Sequence, residues 1–230
     1  MKSRIFQITT LLGILAGTLV FTAAPARCYE IHLTDSTGQA FFLTEKPVRI
    51  VSLVPSVTQM LFALGAGELV QGITYHTTRP WYAAQKTIVG GYSFPSPAAI
   101  EALEPDLIFY DPFQSQRLES LLSGKIPMMH VKTQTLSDSR HTLVLLGKLV
   151  EKQENARQLV ADMTADLDWV AAKMKKADLS PKRVIRLMGR DEIMTPGSDS
   201  FQNHMISLAG SIPPDIGTGP VVPVSRDQWI

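Results

Sequence analysis

Aromatic side chains form three groups in a sequence in which only 7% of the residues are aromatic. They are Tyr75 and Trp81, then Tyr92 and Phe94, then Tyr110 and Phe113. Flat rings offer a large contact area at a low cost in conformational entropy, so rings grouped in this way favour a surface that stacks on a flat ligand. The alternative is that rings such as Trp81, Tyr92 and Phe113 pack the bases of loops against the protein itself.

Three polar side chains are also predicted to contact the ligand. Arg79 and Arg190 are predicted to pair with an acidic group of the ligand. His76 is predicted to contact the ligand; a single loop histidine can also coordinate iron or cobalt, although hydrogen bonding or solvation is the commoner role. We expect no metal or cofactor that belongs to the protein, because the sequence has one cysteine, Cys28, and its five histidines are scattered.

Charge and motifs argue against two other classes of protein. The 22 Lys and Arg residues almost balance the 21 Asp and Glu residues, so no basic field is available to hold a nucleic acid. The sequence has no G-x-S-x-G elbow, no P-loop and no H-E-x-x-H motif, and His204 lies too close in sequence to Ser198 and Ser200 to suggest a hydrolase triad. The sequence therefore predicts a binding protein and not an enzyme.

Alternating strands and helices are predicted to position the aromatic loops. Residues 30–44 are typical of a hairpin, and strands are predicted at 49–53, 69–74, 107–110 and 128–131. Between them, Ser56 and Gln59 form a capping-box pattern before a helix that ends at Gly65, and Pro97 begins a helix that runs to Leu103; a third helix is expected at 118–122. Such alternation predicts a parallel sheet, with loops gathered at the carboxyl ends of its strands.

The rest of the chain predicts a long connecting helix and a second lobe. Residues 153–176 keep helical apolar spacing over about 36 Å, enough for a strut between two lobes. A strand at 184–188 and a helix capped by Ser198 then begin a new unit, and about 50 residues are too few to close an independent core. The expected fold class is α/β, with two parallel-sheet lobes, at 29–136 and 180–230, joined by a helical linker at 137–179; the second lobe is expected to be truncated.

The first 28 residues are predicted to be a secretory signal peptide. Basic residues at positions 2 and 4 precede an apolar run over 5–24, and Ala24-Pro25-Ala26 supplies a cleavage triplet. The alternative is an uncleaved membrane anchor, since about 20 apolar residues can cross a bilayer. Lipid attachment at Cys28 is not expected, because Arg27 stands where a lipobox has a small residue.

A series of short segments then carries a family resemblance. They are P-x-R-I-V-S-L-x-P-S-x-T at 47–58, L-G-A-G at 64–67, V-x-G-I at 70–73, V-G-G at 89–91, E-P-D-L-I at 104–108, T-P-G-S-D-S-F at 195–201, L-A-G at 208–210 and V-S-R-D at 224–227. In this order they resemble class III periplasmic binding proteins, which serve ABC importers of vitamin B12, siderophores and haem. The resemblance spans residues 30–230 and implies a monomeric periplasmic protein that captures an iron complex or cobalamin between two lobes and delivers it to a membrane ABC permease.

The resemblance also implies how the protein docks on its permease. Members of the family use an acidic side chain at each lobe tip; Asp227 matches the second, but Ala98 stands at the position of the first. Glu101, one helical turn further on, is expected to take its place. The alternative function is that of a truncated or decayed member, which acts as a sensor or interaction protein without a transport ligand.

Overall fold

The computed structural model describes residues 29–111, 114–177, 180–225 and 227. The predicted signal peptide and Phe113 lie outside these residues. The strands are β1 Ile31–Thr34, β2 Ala40–Leu43, β3 Ile50–Ser52, β4 Val70–Ile73, β5 Thr87–Ile88, β6 Leu107–Tyr110, β7 Met128–His130, β8 Met194–Thr195 and β9 Val222–Pro223. The helices are α1 Pro55–Ala63, α2 Pro97–Glu101, α3 Ser115–Leu122, α4 Leu136–Leu149, α5 Gln153–Ala177 and α6 Phe201–Leu208.

A five-stranded parallel sheet organises the first half of the chain. Its strand order is β5-β4-β3-β6-β7, so the chain moves outward from β3 in one direction and then returns to build the other side. Strands β3 and β6 consist entirely of buried residues, as expected for central strands covered on both faces. Val51 and Ile108 pack on one face with α2 and α3, while Ile50 and Phe109 pack on the other with α1 and α4. The predicted α/β class with a parallel sheet is confirmed.

The predicted capping box at the start of α1 is wrong. The helix begins at Pro55, whose fixed φ suits the first helical position, and Val54 is the N-cap without a side-chain hydrogen bond. Ser56 therefore lies inside the helix, and its hydroxyl group is 2.8 Å from that of Thr133. The predicted end of the helix is confirmed, since Gly65 follows the C-cap with a φ of 75°.

Helix α5 is a single helix of 25 residues, as the apolar spacing predicts. Its first turns pack against α4, and Ala156 is its one fully buried residue. Its last turns reach α6, where the side chain of Met174 lies against Gly210. The helix therefore connects the sheet of the first half to the second half of the chain, and most of its surface is in solvent.

Residues 180–225 differ from two predictions made for this region. Residues 184–188 do not form a strand; the pairings are two isolated bridges, parallel between Arg183 and Ile212 and antiparallel between Met188 and Met194, and an antiparallel pair, β8 with β9. Helix α6 is capped by Ser200 and not by Ser198, because the Ser198 hydroxyl donates to the carbonyl oxygen of Gly217 instead. An apolar run forms a strand only where a neighbouring strand is available, and that partner is not encoded locally.

None of the helices in the described ranges has both the length and the apolar composition that crossing a bilayer requires.

Candidate ligand-binding cleft

A cleft of about 600 Å³ lies between the two halves of the chain. Most of its wall belongs to the first half, and Phe201 of α6 contributes from the second. The lining residues are Val54, Pro55, Ser56, His76, Tyr92, Asp111, Val131, Lys132, Thr133, Gln134, Ser139 and Phe201. This volume is within the range of sites that hold small molecules.

Sheet topology places the cleft at the carboxyl ends of the strands. Residues 54–56 follow β3, Asp111 follows β6, and residues 131–134 follow β7. The chain order reverses between β3 and β6, and the loops that leave a sheet at such a switch point diverge and leave a crevice. Segments that follow the carboxyl ends of the parallel strands thus line the cleft.

One buried side chain holds three of these loops together. Gln114 donates from Nε2 to the carbonyl oxygen of Leu53 at 3.2 Å and to that of Tyr92 at 2.6 Å. Its own carbonyl oxygen accepts from the backbone N–H of Asp111 at 3.3 Å. Because each loop is bonded to the same amide, the wall of the cleft is preorganised.

His76 and two tyrosines form a cluster at the edge of the cleft. The backbone N–H of Tyr92 donates to Nδ1 of His76 at 3.0 Å. The ring of Tyr75 lies over the imidazole, with centroids 4.3 Å apart, and the ring of Tyr92 meets it edge-on at 6.3 Å. Tyr75 also covers Gly91 so closely that a Cβ atom there would lie 2.7 Å from its hydroxyl oxygen.

Few charges face the cleft. Among its lining residues the acidic and basic side chains, leaving histidine aside, are Asp111 and Lys132. The Tyr92 hydroxyl is hydrogen-bonded to the Asp111 carboxylate, and Lys132 lies 3.8 Å from Asp138. The remaining polar groups are hydroxyls, an amide and the imidazole of His76, so the cleft offers hydrogen bonds with little net charge.

The wall from the second half is held by a buried asparagine. Asn203 donates to the carbonyl oxygens of Pro196 and Gly197, both at 3.0 Å, and its own backbone N–H is capped by Ser200. These bonds fold the 196–200 loop against the start of α6. Phe201, the first residue of that helix, is thereby presented to the cleft.

Arg79 and Trp81 lie in a different groove. This groove, of about 670 Å³, runs along α1 and is lined by Gln59, Phe62, Ala63, Thr78, Arg79, Pro80, Trp81 and Tyr82. It shares no lining residue with the cleft. Trp81 is 77% exposed and stacks edge-on against Tyr82, which in turn meets Phe62.

Other predicted ligand contacts also lie away from the cleft wall. Tyr110 is buried, and its hydroxyl donates to Glu119 at 2.7 Å; burial and this carboxylate raise the pKa of the phenol. Phe94 is 74% exposed, and Arg190 is exposed in the turn after Gly189. The structure thus groups His76 with Tyr75 and Tyr92, and it places Arg79, Trp81, Phe94, Tyr110 and Arg190 elsewhere.

The predicted docking residues are all at the surface. Asp227 and Ala98 are exposed. Glu101 is exposed as well, and its carboxylate lies 3.0 Å from the ammonium group of Lys125. Any docking contact of Glu101 therefore competes with this ion pair.

Several cleft residues escaped the sequence analysis. Lys132, Thr133, Gln134 and Ser139 belong to no motif, and Ser56 was assigned only to a capping box and to a family segment. Only their position could have indicated a role, since each follows or faces the carboxyl end of a predicted strand. Phe201 is different, because its place in the cleft depends on how the second half packs against the first.

No group of three or more His, Cys, Asp or Glu side chains in the described ranges is arranged to hold a metal ion.

Comparisons with known proteins identify the family of the chain. Residues 50–229 match the family described as periplasmic binding protein. A vitamin B12-binding protein of Pectobacterium atrosepticum is 30% identical over 190 residues, which are 79% of this chain and 67% of that protein. An ABC transporter substrate-binding lipoprotein of Bacillus subtilis, itself uncharacterised, is 27% identical over 187 residues, 78% of this chain and 59% of the relative. This chain therefore matches only about three fifths of the length of the Bacillus protein.

A solved structure shares the fold. The periplasmic vitamin B12 binding protein of Vibrio cholerae superposes with a TM-score of 0.69 at 21% identity, covering 80% of this chain and 72% of that one.

Proposed function

The chain belongs to the periplasmic binding protein family, and from this premise we propose that it captures a metal-containing small molecule, a corrinoid or an iron complex, for an ABC importer. The cleft between the two halves is the observation that carries the proposal. It is concave, it joins residues from both halves, and its loops are fixed by Gln114 before any ligand arrives. The same cleft favours ligand capture over a role as a sensor or interaction protein.

The charge of the cleft favours one ligand class. A ferric tris-catecholate or a polycarboxylate siderophore carries several negative charges, and burying them requires matching cations. Among the lining residues given above, Lys132 is the single Lys or Arg, while Arg79 lies in the other groove. Cobalamin presents mainly neutral amide groups around its ring, which suit hydroxyl and amide partners. We therefore place a corrinoid first, and the name of the Pectobacterium relative supports the same choice.

Titration calorimetry tests the proposal. The purified protein is titrated with cyanocobalamin, haemin and a ferric tris-catecholate siderophore, and Tyr92→Ala serves as the cleft variant. We expect saturable binding of cyanocobalamin at one site and a loss of affinity in the variant. Absence of binding for all three compounds would contradict the proposed function.

Export and docking complete the proposed role. The family acts outside the cytoplasm, so the first 28 residues are proposed to direct export and then to be removed. Release of the ligand is proposed to occur at an ABC permease, with Asp227 and Glu101 as the docking side chains. Capture itself needs no bond to be made or broken, and the proposed role is therefore that of a binding protein and not an enzyme.

A further inference from the structure

The ring nitrogens of His76 have fixed and different roles. A backbone N–H can only donate a hydrogen bond, so Nδ1 of His76, which lies 3.0 Å from the Tyr92 nitrogen, must supply the lone pair. In a neutral imidazole the single proton then resides on Nε2. Within the described part of the chain no hydrogen bond joins Nε2 to a protein group, and His76 lines the cleft, so this N–H is available to a ligand.

From this contact we propose that Tyr92 locks His76 as an Nε2–H donor, which recognises an acceptor oxygen on the ligand and does not coordinate the ligand's metal. The inference rests on the proposed function for its ligand, but the proton position itself does not. The acceptor on the ligand is a carbonyl or carboxylate oxygen at its rim, such as the carbonyl oxygen of a side-chain amide of a corrinoid.

Coordination by Nε2 would require the opposite tautomer. The proton would move to Nδ1 and meet the Tyr92 N–H, so that two donors face one another and the 3.0 Å hydrogen bond is lost. Metal-bound histidines usually donate their second ring N–H to a carboxylate, a carbonyl or water. At His76 that second position is occupied by a donor, which is the wrong partner for a metal ligand.

Two further contacts hold Tyr92, the residue whose N–H faces His76. The carbonyl oxygen of Tyr92 accepts from buried Gln114 at 2.6 Å, and its phenol is bonded to Asp111. Tyr75 stacks on the imidazole and restricts rotation of the ring. The donor role of His76 is therefore built into the loops of the apo protein.

Nitrogen NMR of the protein labelled with ¹⁵N-histidine tests the proton position without ligand. At pH 8, where imidazoles are neutral, the His76 signals should show a protonated Nε2 and an unprotonated Nδ1; His76→Gln assigns them by their loss. A protonated Nδ1 would overturn the proposal. The NMR measurement determines the tautomer even if no ligand binds. Failure of every ligand to bind would count against the proposed function and not against the proposed tautomer.

Absorption spectra test metal coordination. Aquocobalamin carries an exchangeable water on cobalt, and its bands shift when an imidazole replaces that water. We expect no such shift when the protein binds aquocobalamin. A shift that appears with wild type and disappears in His76→Gln would overturn the inference and leave the proposed function intact.

Two substitutions test the hydrogen bond to the ligand. His76→Gln keeps an oxygen for the Tyr92 N–H and an N–H for the ligand, whereas His76→Leu keeps neither. Cyanocobalamin affinity should stay within about threefold of wild type in the first and fall about three- to tenfold in the second. Trp81→Leu, in the other groove, is the matched control. Equal affinities for wild type and His76→Leu would contradict a donor role.

Discussion

The hydroxyl oxygen of Ser36 lies 2.6 Å from Nδ1 of His130, which ties the turn of the first hairpin to the end of β7. The backbone N–H of Ser36 also donates to the carbonyl oxygen of His130, at 3.2 Å, and the ring of Tyr110 meets the imidazole edge-on. Burial lowers the pKa of His130 from its usual value of 6.5, against the smaller opposing effect of Asp35, Asp111 and Glu119. A neutral, buried imidazole thus holds the hairpin on the sheet.

Protonation of His130 on unfolding should therefore lower the stability of the protein in mild acid. The unfolded imidazole takes up its proton near pH 6.5, before the folded one does, so acid below this pH favours unfolding, by at most about 1.4 kcal/mol per pH unit. Urea denaturation at pH 7.5 and 5.5 should show a larger loss for wild type than for His130→Gln. Ser36→Ala should lower stability at both pH values and keep the wild-type difference between them. An equal pH dependence in wild type and His130→Gln would remove His130 as the cause.

Replacing Tyr92 and replacing Trp81, two aromatic residues that were both predicted to contact the ligand, should have different effects on ligand affinity. Tyr92 lines the cleft, whereas Trp81 lies in the groove along α1. Tyr92→Ala should cost about 1 to 3 kcal/mol of binding, and Trp81→Ala should leave affinity unchanged. Calorimetry with cyanocobalamin measures both, and circular dichroism checks folding. If Trp81→Ala weakens binding as much as Tyr92→Ala, the ligand extends outside the cleft described above.

Gly91→Ala should separate ligand affinity from stability. The new methyl group must displace the ring of Tyr75, which is 63% exposed and can turn towards solvent by giving up its contact with His76, so the free energy of unfolding should change by less than about 1 kcal/mol. Moving Tyr75 removes its stacking on His76, and affinity should drop several-fold. Thermal melts and calorimetry on the same sample test this. Unchanged affinity would show that the Tyr75 position is irrelevant to binding.

Docking on the permease should respond to charge and salt. Asp227→Ala should slow association with little effect on ligand affinity, since an exposed ion pair contributes only about 0 to 1 kcal/mol. Ala98→Glu should strengthen docking at low salt, and 0.5 M salt should abolish the gain. Lys125→Ala, which frees Glu101 from its ion pair, should act in the same direction. Binding of each variant to the permease in lipid nanodiscs is measured at two salt concentrations. If every variant binds as wild type does at both, the acidic-tip mechanism is disproved.

Export should yield a mature protein that starts between Arg27 and Tyr29. The cleavage triplet at 24–26 places the cut there, and Arg27 disfavours lipid attachment to Cys28. Intact-mass spectrometry of the periplasmic protein checks the terminus. Recovery of Met1, or of a lipid adduct on Cys28, would refute the prediction.

Local patterns predicted the elements of the first half well. Strands β3, β4, β6 and β7 form within two residues of their predicted bounds, because buried strands and their flanking turns are encoded by adjacent residues. The capping-box error at Ser56 shows the limit of a motif read alone, since Pro55 just before it moves the helix start upstream.

Contacts between residues that are far apart in the sequence could not be predicted from local patterns. The loop from Tyr75 to Trp81 was expected to face one ligand, yet it passes from the cleft at His76 to the groove along α1 at Trp81. Nothing in local spacing indicates where a loop crosses from one face to the other. Likewise, Gln114 organises the cleft through contacts with Leu53 and Tyr92, which are 61 and 22 residues away in sequence.

Helix α5 has a consequence for how fast ligands exchange. The two walls of the cleft are joined through one continuous helix, and bending it would break backbone hydrogen bonds that each contribute about 1 kcal/mol. We therefore expect the width of the cleft to change little when a ligand enters. The residence time of a ligand should then depend on its contacts along the exit between the two walls, and not on the frequency with which a hinge opens.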